Sequence, residues 1–249
     1  MNIDEYSQMR KLEDDYWWFV ARRELAINLL KLPLLNTSAK GLDLGCGTGA
    51  LLTHLQRNHE VFGLDISPEA IGFCEDRGLK NLFLGSAEAL PFEPNTFDFV
   101  VTLDTLEHVE NDLVALKEIE RVLKPGGIAL INVPAFAWLW GPHDVALHHH
   151  RRYTRSQLRQ NCTAHGLKVE KISYSVFFLF PVVVLRRISE RLYRGPAKVR
   201  MPVVRPGSNK FLVKLMRFES KIARKFGLPW GSSLFCIVRK STETSHPKA

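Results

Sequence analysis

An α/β fold built on a largely parallel sheet is predicted for this 249-residue chain by three observations. Short apolar runs alternate with helix-patterned stretches from residue 40 to about residue 133, as βαβ units require. The first run leads directly into a glycine-rich turn, Gly45-Cys46-Gly47-Thr48-Gly49. Helix-start signals then stand between the later runs. The expected strands cover 41–44, 61–64, 81–84, 97–103 and 128–133, with two late strands at 167–174 and 234–238. Ser67-Pro68-Glu69 supplies an N-cap, a proline at the first helical position and an acid in the first turn. Asn111-Asp112 opens a second helix, which Pro125-Gly126-Gly127 closes. Thr154 and Gln157 form a capping box for a third, ending near Gly166. Ahead of the sheet, residues 16–32 read as one helix with aromatic residues at its start.

Composition places the chain among ordinary globular proteins, with 45% hydrophobic and 24% charged residues. Disorder, collagen-like sequence and a disulfide scaffold are excluded. Cys46, Cys74, Cys162 and Cys236 are scattered without a CxxC, so a reducing, cytoplasmic compartment is expected. The polar, acidic start does not read as a signal peptide. Charge is divided steeply along the chain. Residues 1–150 hold 12 Lys and Arg against 22 Asp and Glu, while residues 151–249 hold 22 against 4. The basic half is expected to meet something anionic, a membrane surface or a nucleic acid.

The glycine turn sits between a strand and a helix, where backbone can wrap a ligand at a helix N-terminus. Twenty residues after Gly45, Asp65 ends the second strand, placed to accept hydrogen bonds from ribose hydroxyls. The pair points to a nucleoside-containing cofactor. With LDLGCGTG at 42–49, GLDIS at 63–67, GSAEALPF at 85–92, FDFVVTLDTLEHV at 97–109 and LKPGG at 123–127, the chain resembles the class I S-adenosylmethionine-dependent methyltransferases of the type 11/12 kind. That resemblance implies a Rossmann-like seven-stranded sheet whose last two strands are antiparallel, with S-adenosyl-L-methionine as cofactor. It implies that Asp43, Gly45, Cys46 and Gly47 surround the methionine moiety, and that Asp65 and Ile66 meet the ribose. Ser86, Ala87 and Glu88 would lie along the adenine, although many relatives carry Asp where this chain has Ser86. Asp104 would face the cofactor near its methyl group, or else serve as a helix N-cap. Residues 1–36 are expected to form a helical lid over the cofactor. Trp18 would face the substrate there, and Arg22 or Arg23 the methionine carboxylate, unless the helix simply packs its aromatic residues on the core.

After the fifth strand comes a dense group of polar and aromatic residues: Trp140, His143, Asp144, His148, His149, His150, Arg151, Arg152 and Tyr153. One reading makes a histidine paired with Asp144 the general base. Another makes Arg151, Arg152 and Tyr153 an anion clamp, with Trp140 beside them. The sequence leaves base and clamp both open. A metal site is not expected, because carboxylate and cysteine partners are missing nearby apart from Asp144.

Residues 175–227 form a basic insertion with 13 Lys and Arg against 2 acids. Its apolar run at 176–185 is too short to span a bilayer, which needs about 20 residues. Further on, Phe211, Leu212, Leu215, Phe218 and Ile222 are expected to share one helical face ringed by cations, as in a helix lying in a membrane interface. Nucleic acid is not the expected partner: Leu103-Asp104-Thr105-Leu106 replaces the Pro-Pro motif usual in base-amine methylation, and no Pro-Cys nucleophile exists. The expectation is therefore one catalytic domain over 1–249, peripheral on the cytoplasmic membrane face. Its acceptor would be an oxygen of an anionic lipid or lipid-linked molecule, such as a polyprenyl phosphate or lipid-linked glycan. A soluble small-molecule acceptor, or a non-catalytic cofactor-binding membrane adaptor, are the alternatives.

Overall fold

Seven strands form one sheet in the computed structural model, which describes residues 3–30, 38–192 and 202–242. In chain order they are β1 (Lys40–Leu44), β2 (Glu60–Asp65), β3 (Leu82–Leu84), β4 (Phe97–Leu103), β5 (Leu123–Pro134), β6 (Leu167–Ser175) and β7 (Ser233–Lys240). Their spatial order is β3-β2-β1-β4-β5-β7-β6. The first five pair in parallel, and β7 runs antiparallel to both β5 and β6. Leu42, Leu44, Phe97, Phe99, Val100 and Val101 are fully enclosed, which is why these strands read as unbroken apolar runs. The seven-stranded Rossmann-like expectation holds, including the antiparallel last pair.

Helices cover the sheet. They are α1 (Ile3–Leu12), α2 (Trp17–Leu30), α3 (Ala50–Leu55), α4 (Pro68–Asp76), α5 (Asp112–Val122), α6 (Pro142–Ala146), α7 (Arg155–Ala164), α8 (Phe180–Leu192) and α9 (Pro206–Lys225). The caps act as the sequence indicates. Ser67 Oγ accepts from Ala70 N, Asn111 Oδ1 from Val114 N, and Thr154 closes a capping box with Gln157. The Pro125-Gly126-Gly127 segment lies inside β5, because α5 already ends at Val122.

The helix expected over 16–32 is α2, and a further helix, α1, precedes it. Residues between α1 and α2 form a corner, fixed where Arg23 Nη1 donates to the Glu13 carbonyl at 2.7 Å and Arg77 Nη2 meets Glu13 Oε1 at 2.6 Å. Asn209 of α9 also holds it, accepting from Trp17 N at 2.8 Å and donating to the Asp15 carbonyl at 2.7 Å. Part of the expected lid, residues 31–36, lies outside the described residues, as does 193–201 of the basic insertion.

The insertion packs differently from its sequence pattern. α9 lies against α2, and its Met216, Glu219, Ser220 and Ala223 are buried. Glu219 is enclosed because it accepts backbone N–H groups from Val176 at 2.6 Å and Phe178 at 3.0 Å. The expected apolar face is thereby split: Phe211 and Phe218 stay exposed, while Leu212, Leu215 and Ile222 are half-buried. α8 carries the clearer unpartnered stripe. Val182, Leu185, Ile188 and Leu192 are each at least 50% exposed at helical spacing, and no residue of α8 is buried.

Candidate active site

The carboxyl end of β1 turns sharply into the glycine loop. Gly45 N and Cys46 N both donate to the Leu64 carbonyl, at 2.7 and 3.0 Å, so the loop is tied to β2. Gly45 and Gly47 have φ of 75° and 54°. A Cβ at Gly45 would fall 2.2 Å from Thr105 Oγ1, so only glycine fits there. Asp65 anchors the loop from the next strand: its Oδ2 accepts from Gly47 N at 2.9 Å and its Oδ1 from Ser67 N at 3.0 Å. Tyr6 of α1 reaches the same carboxylate at 3.4 Å, which places α1 over the loop.

Asp43 is buried beside it, and its Oδ2 has no hydrogen-bond partner. Burial, helped by Asp65, pushes the Asp43 carboxyl up to about 7. Two enclosed carboxylates, one incompletely partnered, with a glycine cradle between them suit a ligand with a cationic end and a ribose. S-adenosylmethionine has both. Ile66 is exposed on the cavity wall beyond Asp65. Ser86 and Ala87 line the same wall, with Ser86 Oγ accepting from Glu88 N at 3.2 Å. Glu88 also lines it while accepting from Asn111 N at 2.9 Å.

Asp104 stands opposite, at a φ of 54° that Asp tolerates better than most residues. It is not an N-cap; the 3-10 turn Leu106–His108 begins after Thr105. Its carboxylate instead pairs with Arg22 and accepts from Asn132 Nδ2 at 2.8 Å. Arg22 further donates to Ser233 Oγ at 2.9 Å and lies 4.3 Å over the Trp18 ring. Both Arg22 and Trp18 line the cavity.

One cavity of about 800 Å³ joins this cradle to the histidine cluster. His143, His148, His149, His150 and Arg152 line it, and so do Val183, Arg186 and Arg187 of α8. An extended segment would turn His149 away from its neighbours, but His148 takes a φ of 56° and breaks the alternation. All three histidines therefore reach the wall. Asp144 lies beneath them, fully buried. Its Oδ1 accepts from His149 Nδ1 at 2.9 Å and Arg152 Nε at 2.8 Å, and its Oδ2 from Gly141 N at 2.9 Å. Arg187 stands 3.7 Å from Oδ2. Burial alone would raise this carboxyl, but His149 and Arg152 outweigh it and hold it well below the usual range. Burial lowers His143 to about 4.

Four expected roles change. Asp144 does not face the cavity and acts through His149 and Arg152. Arg151 turns away, pairing with Asp112 Oδ1 at 2.6 Å. Tyr153 is 3% exposed and donates to Asp112 Oδ2 at 2.8 Å, which makes it a core residue. Trp140 is not among the lining residues. Conversely, Glu107, His108 and the α8 side chains line the cavity without having been singled out. Glu107-His108 is an adjacent acid–imidazole pair on the carboxyl edge, as His143-Asp144 is, and was readable on that ground. The approach of α8 could not be read, because it depends on tertiary packing.

The sheet order and this cradle define a class I S-adenosylmethionine-dependent methyltransferase domain. Within that class, residues 42–131 match the family model Methyltransf_11, described as a methyltransferase domain, and the cofactor is S-adenosylmethionine. A demethylmenaquinone methyltransferase of Staphylococcus haemolyticus is 41% identical over 102 residues, covering 38% of this chain and 43% of that protein. The chain thus matches less than half the length of that curated relative. Among solved structures, the Haloferax volcanii methyltransferase in complex with the Trm112 activator has a TM-score of 0.62 at 19% identity, covering 96% of this chain and 94% of its own. The cyclase SpnF has a TM-score of 0.61 at 20% identity, covering 92% and 87%. At such identities the likeness is one of fold, which hosts more than one chemistry.

Asp43 gives a direct test of the cradle. A cationic cofactor favours the ionised carboxylate, so its affinity should rise about tenfold between pH 6 and pH 8 as Asp43 loses its proton near 7. Calorimetry should show that dependence flattened in Asp43→Asn.

Proposed function

We propose that this chain transfers a methyl group from S-adenosylmethionine to a hydroxyl oxygen of a membrane-held, lipid-type acceptor. The observation that carries this reading is the continuity of the cavity. It runs from Asp43 and Asp65, past His148 and His150, to Val183 and Arg186 of α8. The outer face of that same helix is apolar, with Arg186 and Arg191 alongside. A lipid-type acceptor lying in a membrane interface would thus meet the catalytic domain through α8.

S-adenosylmethionine, when bound, supplies a methyl group already activated on its sulfonium. The protein has to align the acceptor oxygen at about 3–3.5 Å and remove its proton. His143, His148 and His150 line the wall; burial lowers His143 to about 4, and the exposed His148 and His150 are assigned the proton. Phosphate methylation is less well served. The arginines of the expected clamp are engaged, Arg151 by Asp112 and Arg152 by Asp144. A hydroxyl of a lipid-linked glycan fits the cavity chemistry better than a polyprenyl phosphate. The demethylmenaquinone acceptor named for the Staphylococcus relatives also points toward an apolar acceptor.

Incubation with methyl-labelled cofactor and fractionated membrane lipids tests the reading. Label in a lipid fraction supports it. Label only in a water-soluble product favours the small-molecule alternative, and no transfer at all favours a non-catalytic adaptor. No helix among the described residues is long and apolar enough to cross a membrane, and the reading assigns association to the exposed stripe of α8. Anionic liposomes should bind the chain and release it as salt rises. Val182→Asp with Leu185→Asp should weaken that binding at least tenfold, from lost apolar burial. Sedimentation showing equal binding by the variant would remove α8 as the anchor.

A further inference from the structure

On the acceptor side of the cavity, Glu107, His108 and His149 each offer one ligand atom, all within 4.8 Å of one another. They come from two places in the chain: the turn after β4 and the loop after α6. The missing carboxylate that argued against a metal in the sequence is supplied by Glu107, about forty residues upstream of the histidine run. We infer that these three side chains hold a divalent transition-metal ion, with its remaining positions open to the cavity.

Three features support the site. First, both imidazoles are pre-oriented. Asp144 Oδ1 accepts from His149 Nδ1, which leaves Nε2 as the nitrogen with a free lone pair. A hydrogen bond to the Leu147 backbone similarly occupies His108. Histidine ligands usually have such a partner behind them, setting the tautomer and raising basicity. Second, Glu107 is 1% exposed, yet its Oε2 has no hydrogen-bond partner. That enclosed carboxylate belongs to the same group of ligands as the two imidazoles. Third, the two imidazoles come from separate segments and converge at the cavity wall. The His108 and His149 rings meet edge to face, with centroids 4.6 Å apart.

Two histidines and one carboxylate with open positions form a donor set for zinc or iron(II), not for calcium or magnesium. Ligands at about 2.1 Å from a shared ion lie no more than about 4.2 Å apart, so small side-chain rotations complete the site. Such an ion would lie beside the glycine-loop cradle and bind an acceptor oxygen directly, leaving His148 and His150 to take the proton. That use rests on the transferase reading; the binding of the ion does not.

Zinc(II) titration of the full chain, followed by calorimetry and metal analysis after dialysis, tests the inference. One equivalent is expected to bind. Glu107→Gln and His108→Ala should each weaken it by at least tenfold, and the distant His54→Ala should leave it unchanged. Thermal melts without metal check that the variants fold; Glu107→Gln, which conserves volume, decides the matter if a histidine variant does not. Absence of stoichiometric uptake, or uptake indifferent to Glu107→Gln, would overturn the site. If zinc(II) fails to bind while label still reaches lipid, only the metal inference falls. If zinc(II) binds and no acceptor is methylated, only the transferase reading falls.

Discussion

Gly45→Ala should lower the unfolding free energy by about 2–5 kcal/mol and abolish measurable cofactor binding. Two effects add. The left-handed backbone at Gly45 is unfavourable for any residue with a Cβ, by about 1–2 kcal/mol. The new methyl would also meet Thr105 Oγ1 at 2.2 Å, and overpacking of that kind typically costs about 1–3 kcal/mol. Thr105 cannot step aside freely, because its hydroxyl donates to the Leu44 carbonyl at 3.1 Å, at the end of the strand that carries the loop. Either the loop or the turn after β4 has to move, and both line the cofactor side of the cavity. Denaturant titration gives the first quantity and calorimetry the second. A stable variant that binds cofactor normally would mean that the loop is not the cradle.

Asp144→Ala should destabilise the protein by about 3–5 kcal/mol, the usual consequence of leaving buried partners of an ion pair uncompensated. Arg152, at 7% side-chain exposure, and the similarly enclosed His149 lose their shared acceptor, and Arg187 loses the anion that draws α8 inward. The pH dependence follows from the depressed Asp144 carboxyl. Its contribution is present above the unfolded value of about 3.9 and is lost as pH falls toward the lower folded value. Acid unfolding of the parent should therefore contain a limb below about pH 4 that Asp144→Ala lacks. Cofactor affinity should change much less than stability, because Asp144 does not line the cavity. Equal losses of both would place it in the cofactor site.

The parallel half of the fold was legible because enclosed strands leave continuous apolar runs and because Ser67, Asn111 and Thr154 mark helix starts by side-chain chemistry. The cradle was legible for a related reason: Gly45, Gly47 and Asp65 are near in sequence or separated by one βαβ step, so spacing fixes geometry. The acceptor wall was legible only in part. A local run such as His148 to Tyr153 shows which groups are present, but not which way each one faces. Arg151 and Tyr153 turn toward Asp112, some forty residues upstream, and no periodicity in the run reports that pairing. Glu219 likewise sits in a polar-looking position of α9 yet is buried, because two backbone N–H groups of the segment before α8 need an acceptor. Those long-range pairings also decide that α8, and not α9 alone, presents the apolar stripe.

The position of the transferred methyl group tests the proposed chemistry most directly. The chain, cofactor carrying an isotope-labelled methyl group, and membrane lipids in anionic liposomes would be combined, and the labelled product isolated from the organic phase. The bond made by the label would then be read by NMR and fragmentation mass spectrometry. The cavity, the histidine wall and α8 predict a single lipid-type product with the label on oxygen. A label on carbon or nitrogen, or a product confined to the aqueous phase, would contradict that chemistry.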